Sequence, residues 1–213
     1  MTTAADEDKG LRTELSFAYR LHKGSPHGKV LFLLHGSGVD ETTLMPLGHE
    51  VSANATLVAV RGRILQDDSR RWFTRITPTR FEQESIHAEA ASFAVFVREV
   101  AAVEGLDWRN AVFLGYSNGA NLLSSVMLLH PGVVRRAALL RSMPVLEEVP
   151  PTRLDGSDVV VIAGARDETY GPYAPALTAL LTEHGADVQS FVVAAGHEFG
   201  AEDAQRVRKW LKS

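Results

Sequence analysis

The chain has 213 residues, of which 45% are hydrophobic and 23% are charged, so its length and composition suit a single globular domain with one sizeable core. A net charge of −4 gives no basic surface of the kind that holds nucleic acid or an anionic membrane, and neither is expected as a partner. Because the sequence contains no cysteine, disulfide bonds, thiolate metal sites and cysteine nucleophiles are excluded.

The beginning of the chain, MTTAADEDKG, is acidic and polar and lacks the basic and apolar regions of a signal peptide. We expect residues 1–12 to form a flexible tail and residues 13–213 to form a single domain. The longest apolar stretches run about eight residues, whereas a membrane-spanning helix needs about 20. A cytoplasmic protein without stable membrane association is therefore expected.

Short apolar runs alternate with stretches of helical periodicity along the whole chain. Most of these runs consist of Val, Leu, Ile, Phe and Ala without polar alternation, which is typical of parallel strands buried on both faces. The first run alternates more and suits an antiparallel edge strand. The predicted strands are 14–21, 29–34, 55–60, 111–116, 136–140, 158–163 and 187–193.

Helices are predicted between these strands. One of them stops before Pro131, since the residue preceding a proline disfavours helix, and another ends at Gly185. The alternation predicts an α/β fold: a mainly parallel central sheet flanked by helices, with functional residues at the carboxyl ends of the strands. The predicted helices are 42–53, 82–104, 118–129, 172–184 and 201–212.

The sequence Gly-Tyr-Ser-Asn-Gly at 115–119 matches the pattern G-x-S-x-G. It begins at the end of one predicted strand and leads directly into a predicted helix. A serine in this pattern stands on a tight strand-to-helix turn, so that its hydroxyl projects above the sheet. The two glycines remove Cβ atoms that would clash across such a turn. Ser117 is therefore the predicted nucleophile.

Three histidines follow Ser117, and two of them have a simpler explanation than catalysis. His130 ends the nucleophile's own helix, about three turns away, and cannot reach back. His184 lies at a helix end, where a cation beside the terminal carbonyls is favourable by itself. His197 lies in a glycine-flanked loop beyond strand 187–193. We therefore expect His197 to be the general base, which also fits the order serine, acid, histidine that accompanies this motif.

The acid is expected in the loop after strand 158–163, where Asp167 and Glu168 are adjacent. Its role is to accept the Nδ1–H of the base, which fixes the tautomer and stabilises the imidazolium. Asp167, four residues past the strand, is favoured, and Glu168 remains the alternative.

A second catalytic signal is the turn His35-Gly36-Ser37-Gly38 after strand 29–34. An H-G-x-G turn at this place supplies a backbone donor to an oxyanion. We expect the N–H groups of Ser37 and Asn118 to hold that oxyanion. His35 itself is expected to be a packed structural residue of the turn.

Together these residues resemble the phospholipase/carboxylesterase family of α/β-hydrolases, a group of small esterases that includes acyl-protein thioesterases. The resemblance runs from about residue 28 to the end and rests on LFLLHGSG, GYSNGANLL, VVIAGARDETYGP and AAGHEF. The tracts LLRSMP and VRGR are most similar to a bacterial subgroup of small carboxylesterases. The resemblance implies the triad Ser117, Asp167 and His197. Thioesterase members carry glutamine where this chain has Asn118, which weakens the case for thioester substrates.

Two features bear on substrate choice. About 17 residues lie between Arg141 and residue 158, which leaves no room for a large helical lid and favours small or short-chain esters. Arginines also cluster around the adjacent aromatic residues Trp72 and Phe73. This cluster suits a salt-bridged, solvated loop; alternatively Arg63 or Arg141 binds a carboxylate of the substrate. Trp72 and Phe73 either wall an acyl or aryl pocket or belong to the core.

The leading hypothesis is a serine carboxylesterase that hydrolyses small esters through an acyl-enzyme. A thioesterase or lysophospholipase-type hydrolase is the alternative, and an inactive binding module on the same fold is a third reading that the intact triad disfavours. The expected partner is a small-molecule ester, with no cofactor and no metal. A homodimer remains open.

Overall fold

The computed structural model describes residues 10–212, and these form eleven strands and five α-helices. Residues 1–9, which belong to the predicted tail, lie outside the described residues. The strands are β1 Tyr19–His22, β2 Val30–Leu34, β3 Thr56–Val60, β4 Ile64–Gln66, β5 Ser69–Arg71, β6 Arg75–Thr77, β7 Arg80–Phe81, β8 Val112–Tyr116, β9 Arg136–Leu140, β10 Asp158–Gly164 and β11 Asp187–Val193. The helices are α1 Met45–Val51, α2 Gln83–Glu104, α3 Asn118–Leu129, α4 Ala174–Glu183 and α5 Ala201–Trp210.

Seven strands form the central sheet in the order β1-β3-β2-β8-β9-β10-β11. The pairings are parallel except at one edge, where β1 runs antiparallel to β3. The side chains of the middle strands are almost all buried, as expected for strands covered on both faces. The predicted α/β architecture, with a mainly parallel sheet and an antiparallel edge strand, is therefore confirmed.

Helices cover both faces of the sheet and divide the core in two. On one face, α2, α3 and α4 enclose an aromatic-rich core in which the rings of Phe32 and Phe113 stack at 4.8 Å between centroids. On the other face, α1 and α5 pack over a smaller aliphatic core that includes the buried Trp210. Helix α3 is buried along nearly its whole length, which explains why its sequence is apolar almost all round.

The amino-terminal edge differs from the sequence-based expectation. Strand β1 spans only Tyr19–His22 because residues 14–17 bend and insert Phe17 into the core, where its ring contacts Trp72, Phe93 and Phe96. The backbone of Arg12, which the sequence assigns to the tail, exchanges hydrogen bonds of 2.8 and 3.0 Å with Tyr19. Arg12 is thus part of the fold.

Two short hairpins that the sequence did not predict follow β3. Strands β4 and β5 pair antiparallel, and β6 pairs with β7. The first hairpin turns at Asp67 and Asp68, whose φ values of 50° and 57° are those of a two-residue hairpin loop favoured by aspartate, asparagine and glycine. Each of these strands has three residues or fewer and mixes polar with apolar side chains, so it carries no periodic signal.

No large cap covers the carboxyl ends of the strands. The segment 142–157, between β9 and β10, contains neither helix nor strand. Within residues 10–212, none of the helices is both long and apolar enough to cross a bilayer.

Candidate active site

Ser117 stands on the turn between β8 and α3 in a conformation that only a constrained turn maintains. Its φ of 53° and ψ of −118° are unfavourable for a residue with a side chain, and its N–H donates to the Leu140 carbonyl at 2.8 Å. A Cβ on Gly115 would lie 2.7 Å from the Ala120 backbone, and one on Gly119 would lie 2.3 Å from the Leu34 carbonyl oxygen. The two glycines of the motif therefore let the turn close against the sheet.

A chain of hydrogen bonds joins the three residues that the sequence singles out. Ser117 Oγ lies 2.9 Å from Nε2 of His197, and Nδ1 of His197 lies 2.8 Å from Oδ2 of Asp167. With the imidazole neutral, its Nδ1–H donates to the carboxylate, and Nε2 accepts from the serine hydroxyl. This arrangement lets Nε2 take the serine proton as Oγ attacks an acyl carbon.

Asp167 is held by contacts that keep it charged. It is 4% exposed, and its second oxygen, Oδ1, accepts the backbone N–H groups of Thr169 and Tyr170 at 3.1 and 3.0 Å. Burial alone raises the pKa of this carboxyl, but the Tyr170 amide and the His197 imidazole outweigh burial and leave the pKa below its ordinary value. Glu168, the alternative acid, is exposed, and the carboxylate that contacts Nδ1 of His197 is that of Asp167.

The loop that carries His197 is fixed by Arg141. The guanidinium of Arg141 donates to the backbone carbonyls of Gly196 at 2.9 Å and Glu198 at 2.7 Å, on either side of the histidine. It also pairs with Asp203 of α5 at 2.7 and 3.0 Å and is 1% exposed. Arg141 therefore has no free donor for a substrate carboxylate, and that expectation is corrected: this arginine positions the histidine loop.

Two tyrosines that the sequence did not single out enclose the imidazole. The ring of Tyr116 lies 5.5 Å from that of His197 between centroids, and its hydroxyl donates to the His197 carbonyl at 3.1 Å. The ring of Tyr170 packs edge-on at 5.2 Å. Tyr116 is the variable residue before the motif serine, and Tyr170 comes three residues after Asp167. Proximity in sequence to Ser117 and Asp167 was the only feature of the sequence that could have placed these tyrosines at the site.

Two backbone donors are available at the nucleophile. Ser37 lies in the turn after β2 and lines the same cavity as Ser117, while Asn118 is the first residue of α3. In the described part of the chain, neither N–H has a protein acceptor. The turn is held by His35, whose Nδ1 donates to the Gly36 carbonyl at 2.6 Å and whose Nε2 accepts from Gly62 N–H at 2.9 Å. Burial lowers the pKa of His35, so it stays neutral in this structural role.

A cavity of about 280 Å³ opens above Ser117. Ser117 and His197 lie on its wall, and Arg71 and Arg75 of the two hairpins complete it. A larger cavity of about 650 Å³ lies on the far side of Asp167 and does not include Ser117 or His197. The chemistry therefore belongs to the smaller cavity, whose volume suits a small ligand.

The remaining residues predicted to bind substrate lie elsewhere. Trp72 and Phe73 are fully buried, and the Trp72 indole N–H donates to the His35 carbonyl at 2.8 Å. Both residues belong to the aromatic-rich core. Arg63 pairs with Glu89 at 2.7 and 2.9 Å, and its guanidinium lies 4.6 Å from the ring centroid of Phe17. These three assignments to the pocket are therefore corrected.

No protein-family model matches the chain. Three known proteins are similar to it over most of its length. The crystal structure of a carboxylesterase from Mesorhizobium loti has a TM-score of 0.91 and 60% sequence identity, covering 95% of this chain and 97% of that one. A carboxylesterase from Bacillus cereus has a TM-score of 0.90 and 26% identity, covering 99% of both chains. The Bacillus subtilis protein MhqD, which its name places among the hydrolases, is 28% identical over 184 residues, or 86% of this chain and 92% of its own length.

The 60% identity with one carboxylesterase extends over nearly the whole of both chains, and the second carboxylesterase shares the complete fold. The strand order and the serine on its strand-to-helix turn agree with that relationship. The chain therefore belongs to the carboxylesterases of the α/β-hydrolase fold.

Proposed function

We propose that this carboxylesterase hydrolyses small esters through an acyl-enzyme, with Ser117 as nucleophile, His197 as general base and acid, and Asp167 as the residue that orients His197. The observation that carries the proposal is the continuous chain from Ser117 Oγ to His197 Nε2 at 2.9 Å and from His197 Nδ1 to Asp167 at 2.8 Å. Hydrogen-bonding distances at both links are what proton transfer requires.

Acylation begins when Ser117 Oγ attacks the ester carbonyl carbon while its proton passes to His197 Nε2. The carbonyl oxygen becomes an oxyanion, which accepts hydrogen bonds from the free N–H groups of Ser37 and Asn118. Loss of one such donor typically costs about 3–4 kcal/mol of transition-state stabilisation. Collapse of the tetrahedral intermediate breaks the bond to the alkoxy oxygen, which takes the proton from His197 and leaves as the alcohol.

Deacylation repeats the sequence with water. His197 Nε2 removes a proton from the water that attacks the acyl carbon, and a second tetrahedral intermediate forms. When this intermediate collapses, the bond between the acyl carbon and Ser117 Oγ breaks, and His197 donates the proton to Oγ. The products are the carboxylic acid and the regenerated serine. Throughout the cycle Asp167 accepts from Nδ1, so the imidazolium formed in each step is stabilised by a carboxylate that stays ionised.

The size of the substrate follows from the cavity. A volume of about 280 Å³ is slightly below the usual range for ligand sites, which supports small or short-chain esters. The segment 142–157 forms no helix that could extend the cavity into an acyl channel. The same residues could act on thioesters, so ester and thioester of one acyl group are compared in the test.

The test uses a fluorophosphonate probe and a series of p-nitrophenyl esters from acetate to palmitate. We expect the probe to label Ser117, located by mass spectrometry of the adduct peptide, and we expect Ser117→Ala to abolish both labelling and turnover. The rate should decline as the acyl chain lengthens beyond the cavity. Absence of labelling in wild type at neutral pH would contradict the proposal and favour a binding module. A higher kcat/KM for the thioester than for the matched oxygen ester would favour a thioesterase.

A further inference from the structure

The cavity above Ser117 contains a buried cation that the proposed ester chemistry does not use. Arg71, the last residue of β5, is 5% exposed, and its Nε has no hydrogen-bond partner. Among residues 10–212, no carboxylate pairs with its guanidinium, whereas the equally buried Arg141 is paired with Asp203. Burial of a cation without a charge partner is unfavourable, so an anion bound at this place would relieve that cost.

Arg71 is fixed relative to the nucleophile by its two neighbours in the chain. The Trp72 N–H donates to Oδ1 of Asn118 at 2.8 Å, and the Arg70 carbonyl accepts from Gly38 N–H at 2.9 Å. The hairpin is therefore anchored both to the residue after the nucleophile and to the turn that carries Ser37. A group bound by Arg71 would be held in a defined position relative to the acyl carbon at Ser117.

A second arginine strengthens the positive field in the cavity. Arg75 lies on its wall, and none of the described residues that line the cavity is an aspartate or a glutamate. Burial lowers the pKa of Arg71, and the proximity of Arg75 lowers it further. The two guanidiniums thus repel each other, and an anion placed near both would relieve that repulsion.

We propose that Arg71, assisted by Arg75, binds an anionic group of the substrate, so that the enzyme acts on small esters carrying a carboxylate or phosphate a few bonds from the scissile carbonyl. Half-esters of short dicarboxylic acids and acyl esters of small hydroxy acids have this chemistry. A planar guanidinium binds a carboxylate or phosphate through two parallel N–H donors, which fixes orientation as well as charge. This inference rests on the proposed function, because the anion matters only if Ser117 attacks the ester beside it.

The experiment compares matched ester pairs by titration of the released acid. Monomethyl succinate against dimethyl succinate places the anion on the acyl side, and acetoxyacetate against 2-methoxyethyl acetate places it on the alcohol side. Methyl 3-phosphonopropanoate distinguishes a phosphonate from a carboxylate. We expect the anionic member of at least one pair to have a kcat/KM at least about tenfold higher in wild type, the size expected for a charge-assisted contact.

The variants identify the residue responsible. Arg71→Met should reduce the ratio of anionic to neutral kcat/KM at least about tenfold, Arg71→Lys should retain part of it, and Arg75→Gln should reduce it less. Arg80→Gln, which removes an exposed arginine of the neighbouring hairpin that is 67% exposed, is the matched control and should leave the ratio unchanged. Because Arg71 is buried, competitive inhibition of wild type by succinate against the neutral succinamide gives an independent measurement that needs no variant.

The inference would be overturned if the ratio of anionic to neutral kcat/KM were near one in both pairs and succinate and succinamide inhibited equally. It would also be overturned if a folded Arg71→Met protein kept the ratio of wild type. If such an enzyme still hydrolyses neutral esters and takes the fluorophosphonate at Ser117, the proposed function stands and only the anion site fails. If neither labelling nor turnover occurs, the proposed function fails first. A preference for carboxylate, phosphonate or both supports the site and identifies the anion it accepts.

Discussion

Two local turns hold Ser117 and Asp167 in the positions they take at the candidate active site. Ser117 is specified by a short motif, because the turn itself demands glycines at 115 and 119. The sequence favours Asp167 but leaves Glu168 as an alternative, since adjacent residues after a strand point in different directions according to the turn that follows. Here Tyr170 and Thr169 donate to Asp167, and that turn directs its carboxylate toward His197.

Replacement of Asp167 by asparagine should reduce kcat by roughly 10³- to 10⁴-fold. The amide can donate to Nδ1 and so favours the wrong tautomer of His197, which then presents a proton instead of a lone pair to Ser117. Glu168→Gln is the matched control, because Glu168 is exposed and the hydrogen bond to Nδ1 is made by Asp167, and its kcat should equal that of wild type. Turnover of p-nitrophenyl acetate measures both. Loss of activity in Glu168→Gln alone would reverse the assignment of the acid.

The arginines were the least predictable residues of the site. The sequence shows how many arginines there are and which residues are adjacent to them, but the role of each arginine depends on which carboxylate lies next to it in the folded chain. Arg141 forms an ion pair with Asp203, which is 62 positions away, and Arg63 forms one with Glu89, so neither is free for a substrate. Within the part of the chain that the structure describes, Arg71 pairs with no carboxylate and its Nε has no hydrogen-bond partner, although it lies in the same arginine-rich stretch.

Elements with a strong hydrophobic pattern were predicted well, and short polar ones were missed. Each of the seven predicted strands overlaps a strand of the main sheet, because buried parallel strands need continuous apolar runs. The hairpins β4–β5 and β6–β7 are specified instead by a turn conformation at Asp67 and Asp68 and by contacts to distant residues such as Asn118. These contacts leave no periodic trace in the sequence, yet the hairpins supply one wall of the cavity.

The turn after β2 should make the stability of the fold depend on pH through His35. Burial lowers its pKa, so the unfolded chain binds a proton more readily than the folded one. The stabilisation is then complete above the ordinary histidine pKa of about 6.5 and is lost as pH falls from there toward the folded-state value, with a slope of at most about 1.4 kcal/mol per pH unit. His35→Gln keeps an acceptor for Gly62 N–H but does not titrate.

Urea unfolding at pH 7.5, 6.0 and 5.0 measures this effect. The free-energy difference between wild type and His35→Gln should shrink as the pH falls, because only wild type loses the contribution of a neutral imidazole. His27→Gln, which changes an exposed histidine, should show the pH dependence of wild type. A difference between wild type and His35→Gln that stays constant across the three pH values would contradict the expectation.

At the carboxyl edge of the sheet, the ion pair Arg141–Asp203 joins the end of strand β9 to helix α5. Arg141 follows β9, bonds to the Ile162 carbonyl of β10 at 3.2 Å and contacts both sides of the His197 loop. Asp203 also accepts from the Gly200 N–H at the start of α5. One buried ion pair thus connects two strands, a helix and the loop that carries the base.

Arg141→Met should lower the free energy of unfolding by about 3–5 kcal/mol, since it leaves the buried Asp203 carboxylate without an opposite charge. It should also lower kcat more than it changes KM, because the loop that holds His197 loses two of its hydrogen bonds. Adding Asp203→Leu removes the unpaired charge and should recover part of the lost stability, but it cannot restore the donors to Gly196 and Glu198, so kcat stays low. Thermal unfolding and steady-state kinetics separate the two effects.

The matched control for this pair is Arg153→Met, which breaks an exposed ion pair with Asp155 and should change neither Tm nor kcat. If the double variant recovered activity together with stability, Arg141 would act only through the stability of the fold. Recovery of stability alone would establish that it positions the histidine. In that case the guanidinium of Arg141 couples the carboxyl edge of the sheet to helix α5. The geometry between Ser117 and His197 then depends on a contact between residues more than 60 positions apart in sequence.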